Sequence, residues 1–189
     1  MRMPYRVLIA LGLLAAACSG SVVPDAPGPG PSRSEAERER VPVYEGVLRH
    51  LAGADLGGRW RHVYVESSIC GGAARAGGPG DCPDSFSASE QAELAGRLRD
   101  LRGDVRFVDA DEARRLTRAI FGKRPRLALP VRGAVLLRVG LIEGGREGPV
   151  SVPGSYYCGG LCAGGATWLL RRSHGAWEVT GPKGGEWIS

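Results

Sequence analysis

The sequence contains five cysteines, and four of them form two closely spaced pairs. Cys70 and Cys82 enclose the segment GGAARAGGPGD, and Cys158 and Cys162 enclose Gly-Gly-Leu within YYCGGLCAGG. Cysteines at such short spacing can form a structural disulfide, bind a metal ion or act as a redox-active dithiol. The residues around each pair decide which of these chemistries is expected.

The segment between Cys70 and Cys82 is rich in Gly and Ala and has no large apolar residue to anchor it. A disulfide across such a loop removes roughly 3 kcal/mol of conformational entropy from the unfolded chain. The loop also joins the end of a predicted strand to the start of a predicted helix. We therefore predict that Cys70 and Cys82 take part in a structural disulfide.

Cys158 and Cys162 allow three interpretations. The first is a second disulfide, either local or crossed with the first pair, because four cysteines permit three connectivities. The second is a copper or zinc site in which His174, twelve residues after Cys162, supplies a third ligand. The third is a redox-active dithiol, with Arg171 or Arg172 lowering the pKa of a thiol.

The spacing Cys158-x-x-x-Cys162 resembles the motif of Sco-type copper chaperones, and this resemblance implies copper binding. The family has a Pro after the second cysteine, where this sequence has Ala163. Both methionines lie within the first three residues, so the chain after the signal offers no thioether ligand for Cu(I). Because paired cysteines of exported proteins are usually oxidised, we predict a disulfide, with the metal and redox sites as alternatives.

The amino terminus, MRMPYRVLIALGLLAAACSG, has the pattern of a secretory signal. Arg2 and Arg6 form a short basic start. The apolar run from Val7 to Ala17 is shorter than the about 20 residues that span a bilayer, and no stop-transfer pattern follows it. The chain is therefore predicted to be exported.

Residues 15–18, Ala-Ala-Ala-Cys, resemble the lipobox of bacterial lipoproteins. The resemblance implies cleavage before Cys18, a diacylglycerol on its sulfur, and a fatty acid such as palmitate on its new amine. Ser19, in place of Asp, implies the outer membrane, facing the periplasm. Acyl chains hold a protein at a bilayer by burying methylene groups at about 0.8 kcal/mol each. Assigning Cys18 to the lipid leaves an even number of cysteines for disulfides.

We divide the chain into a signal peptide at residues 1–17, a lipidated Pro- and Gly-rich tether at residues 18–40, and a single domain at residues 41–189. The tether shows no apolar periodicity. Residues 35–40 alternate in charge, a pattern compatible with either the start of a helix or a disordered stalk.

Capping residues and apolar spacing predict three helices in the domain. Ser87-x-x-Glu90 is a capping box before the second helix, and Asp109-x-x-Glu112 caps the third. The apolar residues that we expect to face the core recur at helical spacing: Val43, Val47 and Leu51; Leu94, Leu98 and Leu101; Ala113, Leu116 and Ile120.

Alternating apolar residues predict strands at residues 60–66, 105–108, 134–142 and 150–157, and a hairpin at residues 168–180. An even-length loop around His174 would place Trp168 and Leu170 on the same face as Trp177 and Val179. We expect Trp168 and Trp177 to form a cross-strand aromatic pair that supports the core.

The order of these elements indicates an α+β fold. In this fold an antiparallel sheet, built from the C-terminal strands and the hairpin, packs on two or three helices. The alternative is an α/β fold, because residues 60–108 alone could form a βαβ unit.

Charge and motifs exclude several classes of function. The formal net charge of +5 falls to +3 when Arg2 and Arg6 leave with the signal, and basic residues are interspersed with acidic ones. We therefore expect no nucleic-acid partner. The sequence has no P-loop, HExxH or GxSxG motif, and its histidines, His50, His62 and His174, lie in different predicted elements. We predict no cofactor and no catalytic residues.

These features predict a lipid-anchored protein of the cell envelope that acts as a binding or structural module. Its expected partners are the membrane, through the lipid on Cys18, and an unidentified envelope protein or ligand. The alternative is a thiol-redox or metal-binding protein that uses Cys158 and Cys162. The last residues, from YYCGGLC to EWIS, are also similar to the ends of uncharacterised exported bacterial proteins, and this similarity implies export alone.

Overall fold

The computed structural model describes residues 35–53, 60–71, 82–101, 103–121, 124–127, 132–144, 149–159 and 162–188. The helices are α1 (Glu35–Gly53), α2 (Ala88–Arg97) and α3 (Ala110–Thr117). The strands are β1 (His62–Cys70), β2 (Asp84–Ser85), β3 (Asp104–Val108), β4 (Arg118–Phe121), β5 (Arg124–Leu127), β6 (Ala134–Gly140), β7 (Val150–Gly159), β8 (Cys162–Ser173), β9 (Ala176–Pro182) and β10 (Trp187–Ile188). The predicted signal peptide, Cys18 and most of the predicted tether lie outside these residues.

Eight strands form one mixed sheet. Strands β6, β7 and β8 are antiparallel neighbours, and β9 and β10 pair with different halves of the outer edge of β8. On the other side, β1 runs parallel to β6, and β2 and β3 pair with the far edge of β1. Strands β4 and β5 form a separate hairpin. The predicted α+β class and the antiparallel C-terminal part of the sheet are confirmed.

The parallel part of the sheet is the unit β1–α2–β3, which is the βαβ arrangement of the alternative prediction. Parallel strands are normally covered on both faces. Strand β1 meets this condition, because Val63 and Val65 are buried on one face and Glu66 on the other. The sheet is therefore mixed: its C-terminal part is antiparallel as predicted, and β1 adds a parallel part.

The larger core lies between the sheet and helices α1 and α2, and α1 packs across strands β6 to β9. A smaller cluster on the opposite face joins Ala113 of α3 to Leu136 and Tyr157. The residues that α1 and α2 bury in the larger core include those predicted from helical spacing: Val43, Val47, Leu51, Leu94 and Leu98.

Both predicted helix caps are present. The Ser87 hydroxyl accepts the backbone N–H of Glu90 at 3.3 Å, and the Glu90 carboxylate accepts the N–H of Ser87 at 2.7 Å. The Asp109 carboxylate accepts the N–H of Glu112 at 2.7 Å. Local hydrogen bonds between side chain and backbone therefore set the starts of α2 and α3.

The end of α3 differs from the prediction. The helix ends at Thr117, whose hydroxyl donates to the Ala113 carbonyl at 3.1 Å, and the chain continues into β4. Ile120, predicted on the inward side of a helix, therefore lies in a strand. Strands favour β-branched and aromatic residues, and β4 contains Ile120 and Phe121.

Helix α1 begins at Glu35, so the predicted boundary after residue 40 falls inside a helix. Arg40 donates to the carbonyl oxygen of Ser85 at 3.1 Å and forms an ion pair with Asp84 at 2.9 Å. Its guanidinium carbon lies 5.7 Å from the centre of the Tyr44 ring. Of the two structures left open for residues 35–40, the helix is observed, and Arg40 belongs to the folded domain.

The β8–β9 hairpin has the predicted even-length loop, because Ser173 and Ala176 are paired across the two turn residues between them. His174 occupies this turn with a φ of 49°. Leu170 lies opposite Val179, so the two residues share a face as predicted.

The predicted cross-strand pair of Trp168 and Trp177 does not form. Trp177 lies opposite Arg172, four residues along β8 from Trp168, and Trp168 itself lies opposite Pro182. Trp168 packs instead against His50, with the ring centres 4.3 Å apart. The indole N–H of Trp177 donates to the carboxylate of Glu39 at 3.1 Å. Both tryptophans still pack against the larger core.

Gly46 allows α1 to lie directly against β9, and this contact gives a prediction. A Cβ at this position would overlap the backbone carbonyl oxygen of Trp177. We expect Gly46→Ala to lower the free energy of unfolding by about 1–3 kcal/mol, as other overpacked sites do. The matched control is Gly96→Ala in α2, where an added Cβ meets nothing within 4 Å. This change should raise stability by about 0.5–1 kcal/mol. Urea unfolding measures both, and equal responses would contradict the close packing of α1.

Candidate functional site

Both disulfides are local, which resolves the connectivity that the sequence left open. Cys70 is bonded to Cys82, with Cα atoms 3.8 Å apart, and Cys158 is bonded to Cys162, with Cα atoms 5.1 Å apart. The first bond joins the end of β1 to the segment that leads into β2. Arg40 of α1 contacts β2 through a hydrogen bond and an ion pair, so the helix also fixes the position of this segment.

The bond between Cys158 and Cys162 closes the tip of the β7–β8 hairpin. Gly159 lies opposite Cys162 in the strand register and has a φ of +99°, which favours Gly. The bond therefore fixes the two strands at the point where the chain reverses. This position gives Cys158 and Cys162 a structural role.

The structure does not bring His174 to this cysteine pair. Cys162 is the first residue of β8, and His174 follows the last one, Ser173. A strand of 12 residues separates them by roughly 40 Å. The three-ligand metal site of the alternative prediction is therefore not formed. Across the described ranges, no group of three His, Cys, Asp or Glu side chains could hold a metal ion.

The glycines that follow Cys162 make room for a tyrosine ring. Gly164 lies opposite Tyr156, and a Cβ on Gly164 would come within 2.6 Å of the Tyr156 hydroxyl oxygen. The next residue, Tyr157, packs on the opposite face of the sheet with Leu136 and Ala163. Packing and the disulfide thus explain the two tyrosines, the two cysteines and Gly164.

Three polar residues that the sequence reasoning missed lie side by side on the face of the sheet that carries α3. Glu66 of β1, Arg138 of β6 and Ser155 of β7 are called here the polar row. Nε of Arg138 donates to Oε2 of Glu66 at 2.5 Å. Ser155 is the register partner of Arg138 on the next strand.

The polar row is almost completely buried. The side chain of Glu66 is 7% exposed, that of Arg138 is 17% exposed, and Ser155 as a residue is 5% exposed. A buried ion pair adds little or no stability compared with apolar residues of the same volume. Its presence among Val and Leu residues therefore marks a candidate functional site. The sequence signal that could have revealed the ion pair is a single charged residue in each of two apolar stretches, Glu66 in VYVE and Arg138 in LLRVG.

A second candidate is a small cavity between the end of α1 and the loop after α2. Its volume is about 200 Å³, and its lining includes Ala52, Trp60, Val63 and Leu101, with Asp100 beside them. Ligand sites usually measure about 300–1,000 Å³. The cavity is therefore a weaker candidate than the polar row.

None of the helices in the described part of the chain is both long and apolar enough to cross a membrane.

The two disulfides should contribute unequally to stability. The Cys70–Cys82 bond has a sequence separation of 12 and the Cys158–Cys162 bond one of 4. The loop-entropy model assigns about 3 kcal/mol to the longer loop and about 2 kcal/mol to the shorter one. Replacing the first pair by serines should therefore lower the urea midpoint further than replacing the second pair. A reversed order would contradict this assignment.

The pKa of Asp100 gives a pH-dependent prediction. Nη1 of Arg49 donates to both carboxylate oxygens of Asp100, at 2.8 and 2.9 Å, and these hydrogen bonds lower the pKa of Asp100. A lowered pKa means that the interaction stabilises the fold above the ordinary pKa of Asp. The contribution is lost as the pH falls through the lowered value.

NMR titration of the carboxyl carbons measures this pKa directly. Asp100 should titrate below the ordinary range in the wild type, and Arg49→Met should return its pKa towards that range. The same titration midpoint in both proteins would show that Arg49 does not set it.

The chain matches none of the protein-family models, curated proteins or solved structures with which it was compared. Its function is therefore inferred from its own residues and their geometry.

Proposed function

We propose that this protein is an exported, lipid-anchored binding module of the cell envelope. The observation that carries the proposal is the pair of local disulfides, Cys70–Cys82 and Cys158–Cys162. Structural disulfides persist in oxidising compartments and are rare where glutathione and thioredoxin keep thiols reduced. Together with the signal-like amino terminus, they support maturation outside the cytosol.

The lipid on Cys18 would connect the domain to the membrane, with the outer membrane as the proposed location and the domain in the periplasm. Sixteen residues separate Cys18 from the start of α1 at Glu35. The sequence of this segment is rich in Pro and Gly, as expected for the predicted tether. A domain on such a tether can meet partners at some distance from the membrane.

The geometry of the polar row favours binding over catalysis. A serine nucleophile needs an adjacent general base. The register neighbours of Ser155 are Arg138 and Gly165. A guanidinium stays protonated and cannot accept the hydroxyl proton, and Gly165 has no side chain. The polar row can therefore hold a ligand by hydrogen bonds, which is the activity proposed.

Metabolic labelling with an alkyne analogue of palmitate, followed by membrane fractionation, tests the lipid anchor. The wild type should carry the label and sediment with membranes, whereas Cys18→Ser should lose both properties. Ser19→Ala is the matched control, because it changes the next residue and keeps the cysteine. An unlabelled wild type, or a labelled Cys18→Ser variant, would contradict the proposal.

A further inference from the structure

We propose that the polar row binds the carboxylate group of a small ligand, with Arg138 as the principal contact. This inference rests on the binding function proposed above and names the chemical class of its ligand. Three features of the row support it: the free edge of Arg138, the hydroxyl of Ser155 and the charge of Glu66.

Glu66 engages only one side of the Arg138 guanidinium. The contact joins Nε to Oε2 of Glu66 at 2.5 Å. A guanidinium carries five N–H donors, and its two terminal nitrogens form an edge that fits a carboxylate with two parallel hydrogen bonds. No described residue accepts a hydrogen bond from these terminal nitrogens. Arg138 therefore has its best carboxylate-binding edge available.

Ser155 places a hydroxyl next to that guanidinium. The residue is 5% exposed, and its hydroxyl makes no hydrogen bond with any of the described residues. On the far side of Ser155 the next strand carries Gly165, which has no side chain to compete for the hydroxyl. A ligand oxygen beside Arg138 would give this hydroxyl its partner.

Glu66 sets both the orientation and the charge of the site. Its carboxylate fixes the guanidinium through Nε, and the paired charges of Glu66 and Arg138 cancel before a ligand arrives. A site of this charge accepts one negative charge more readily than two, because the carboxylate of Glu66 repels added charge. A monoanionic carboxylate therefore fits better than a phosphate dianion.

The neighbours of the polar row strengthen its hydrogen bonds. Leu136 and Tyr157 lie on one side of it along the strands, and Pro153 lies on the other, all of them buried. Apolar surroundings lower the local dielectric constant, so a charge-assisted hydrogen bond is stronger there than in water. Burial thus favours a small carboxylate that enters without its water shell.

The test titrates the ¹⁵N-labelled full chain in detergent with sodium acetate, using sodium chloride at the same ionic strength as the reference. NMR follows the Nε–H of Arg138 and the backbone N–H of Ser155. We expect both signals to shift with acetate and to saturate, and to stay unchanged with chloride. Shifts that do not saturate, or that are equal with both salts, would overturn the proposal.

Two variants separate specific binding from general effects of salt. Arg138→Lys keeps the positive charge but removes the planar fork, so the affinity for acetate should fall about tenfold or more. Arg171→Lys, at an exposed position on β8, is the matched control and should bind acetate as the wild type does. If Arg138→Lys does not fold, Ser155→Ala keeps the ion pair and should still weaken binding. If Arg138→Lys folds, or failing that Ser155→Ala, and the variant binds acetate as tightly as the wild type, the contact assigned to the replaced residue is refuted.

The experiments test the proposed ligand class and the proposed membrane anchor independently. If the wild type carries the palmitate label but shows no saturable shift with acetate, the carboxylate site is refuted and the proposed lipid anchor is not. If the wild type shows a saturable shift with acetate but carries no palmitate label, the lipid anchor is refuted and the carboxylate site is not.

Discussion

Two disulfide bonds close glycine-rich segments of the sequence, and each bond lies at the end of a strand of the sheet. Glycine loses more conformational freedom on folding than any other residue, so segments of this composition are costly to order. The Cys158–Cys162 bond holds β7 against β8, and β8 in turn carries β9 and β10 on its outer edge. The Cys70–Cys82 bond ties the end of β1 to the chain that enters α2. Bonds of this kind persist outside the cytosol, and they therefore support the proposed export.

The two faces of the sheet serve different purposes. Helices α1 and α2 cover one face with an apolar core, and the contact between Gly46 and the backbone of β9 shows how closely α1 lies on it. The opposite face combines a small apolar cluster under α3 with the polar row. Stability is therefore concentrated on the first face, whereas Glu66 and Arg138 occupy positions where apolar residues would serve the fold at least as well.

Local features of the sequence were predictable, and features that depend on distant pairing were not. Ser87 and Asp109 cap their helices through residues three positions away, so the sequence alone reveals them. The ion pair of Glu66 and Arg138 joins residues 72 positions apart, and only the parallel pairing of β1 with β6 brings them together. The contact of Trp168 with His50 of α1 likewise leaves no signal in alternating apolar residues.

The four cysteines outside the predicted lipidation site should all be oxidised in the native protein. The most direct test is peptide mass spectrometry of protein taken from the cell envelope and alkylated without any reductant. We expect no alkylated thiol among these four residues, together with cross-linked peptides that join Cys70 to Cys82 and Cys158 to Cys162. Alkylation of all four, with no cross-linked peptide, would contradict this expectation.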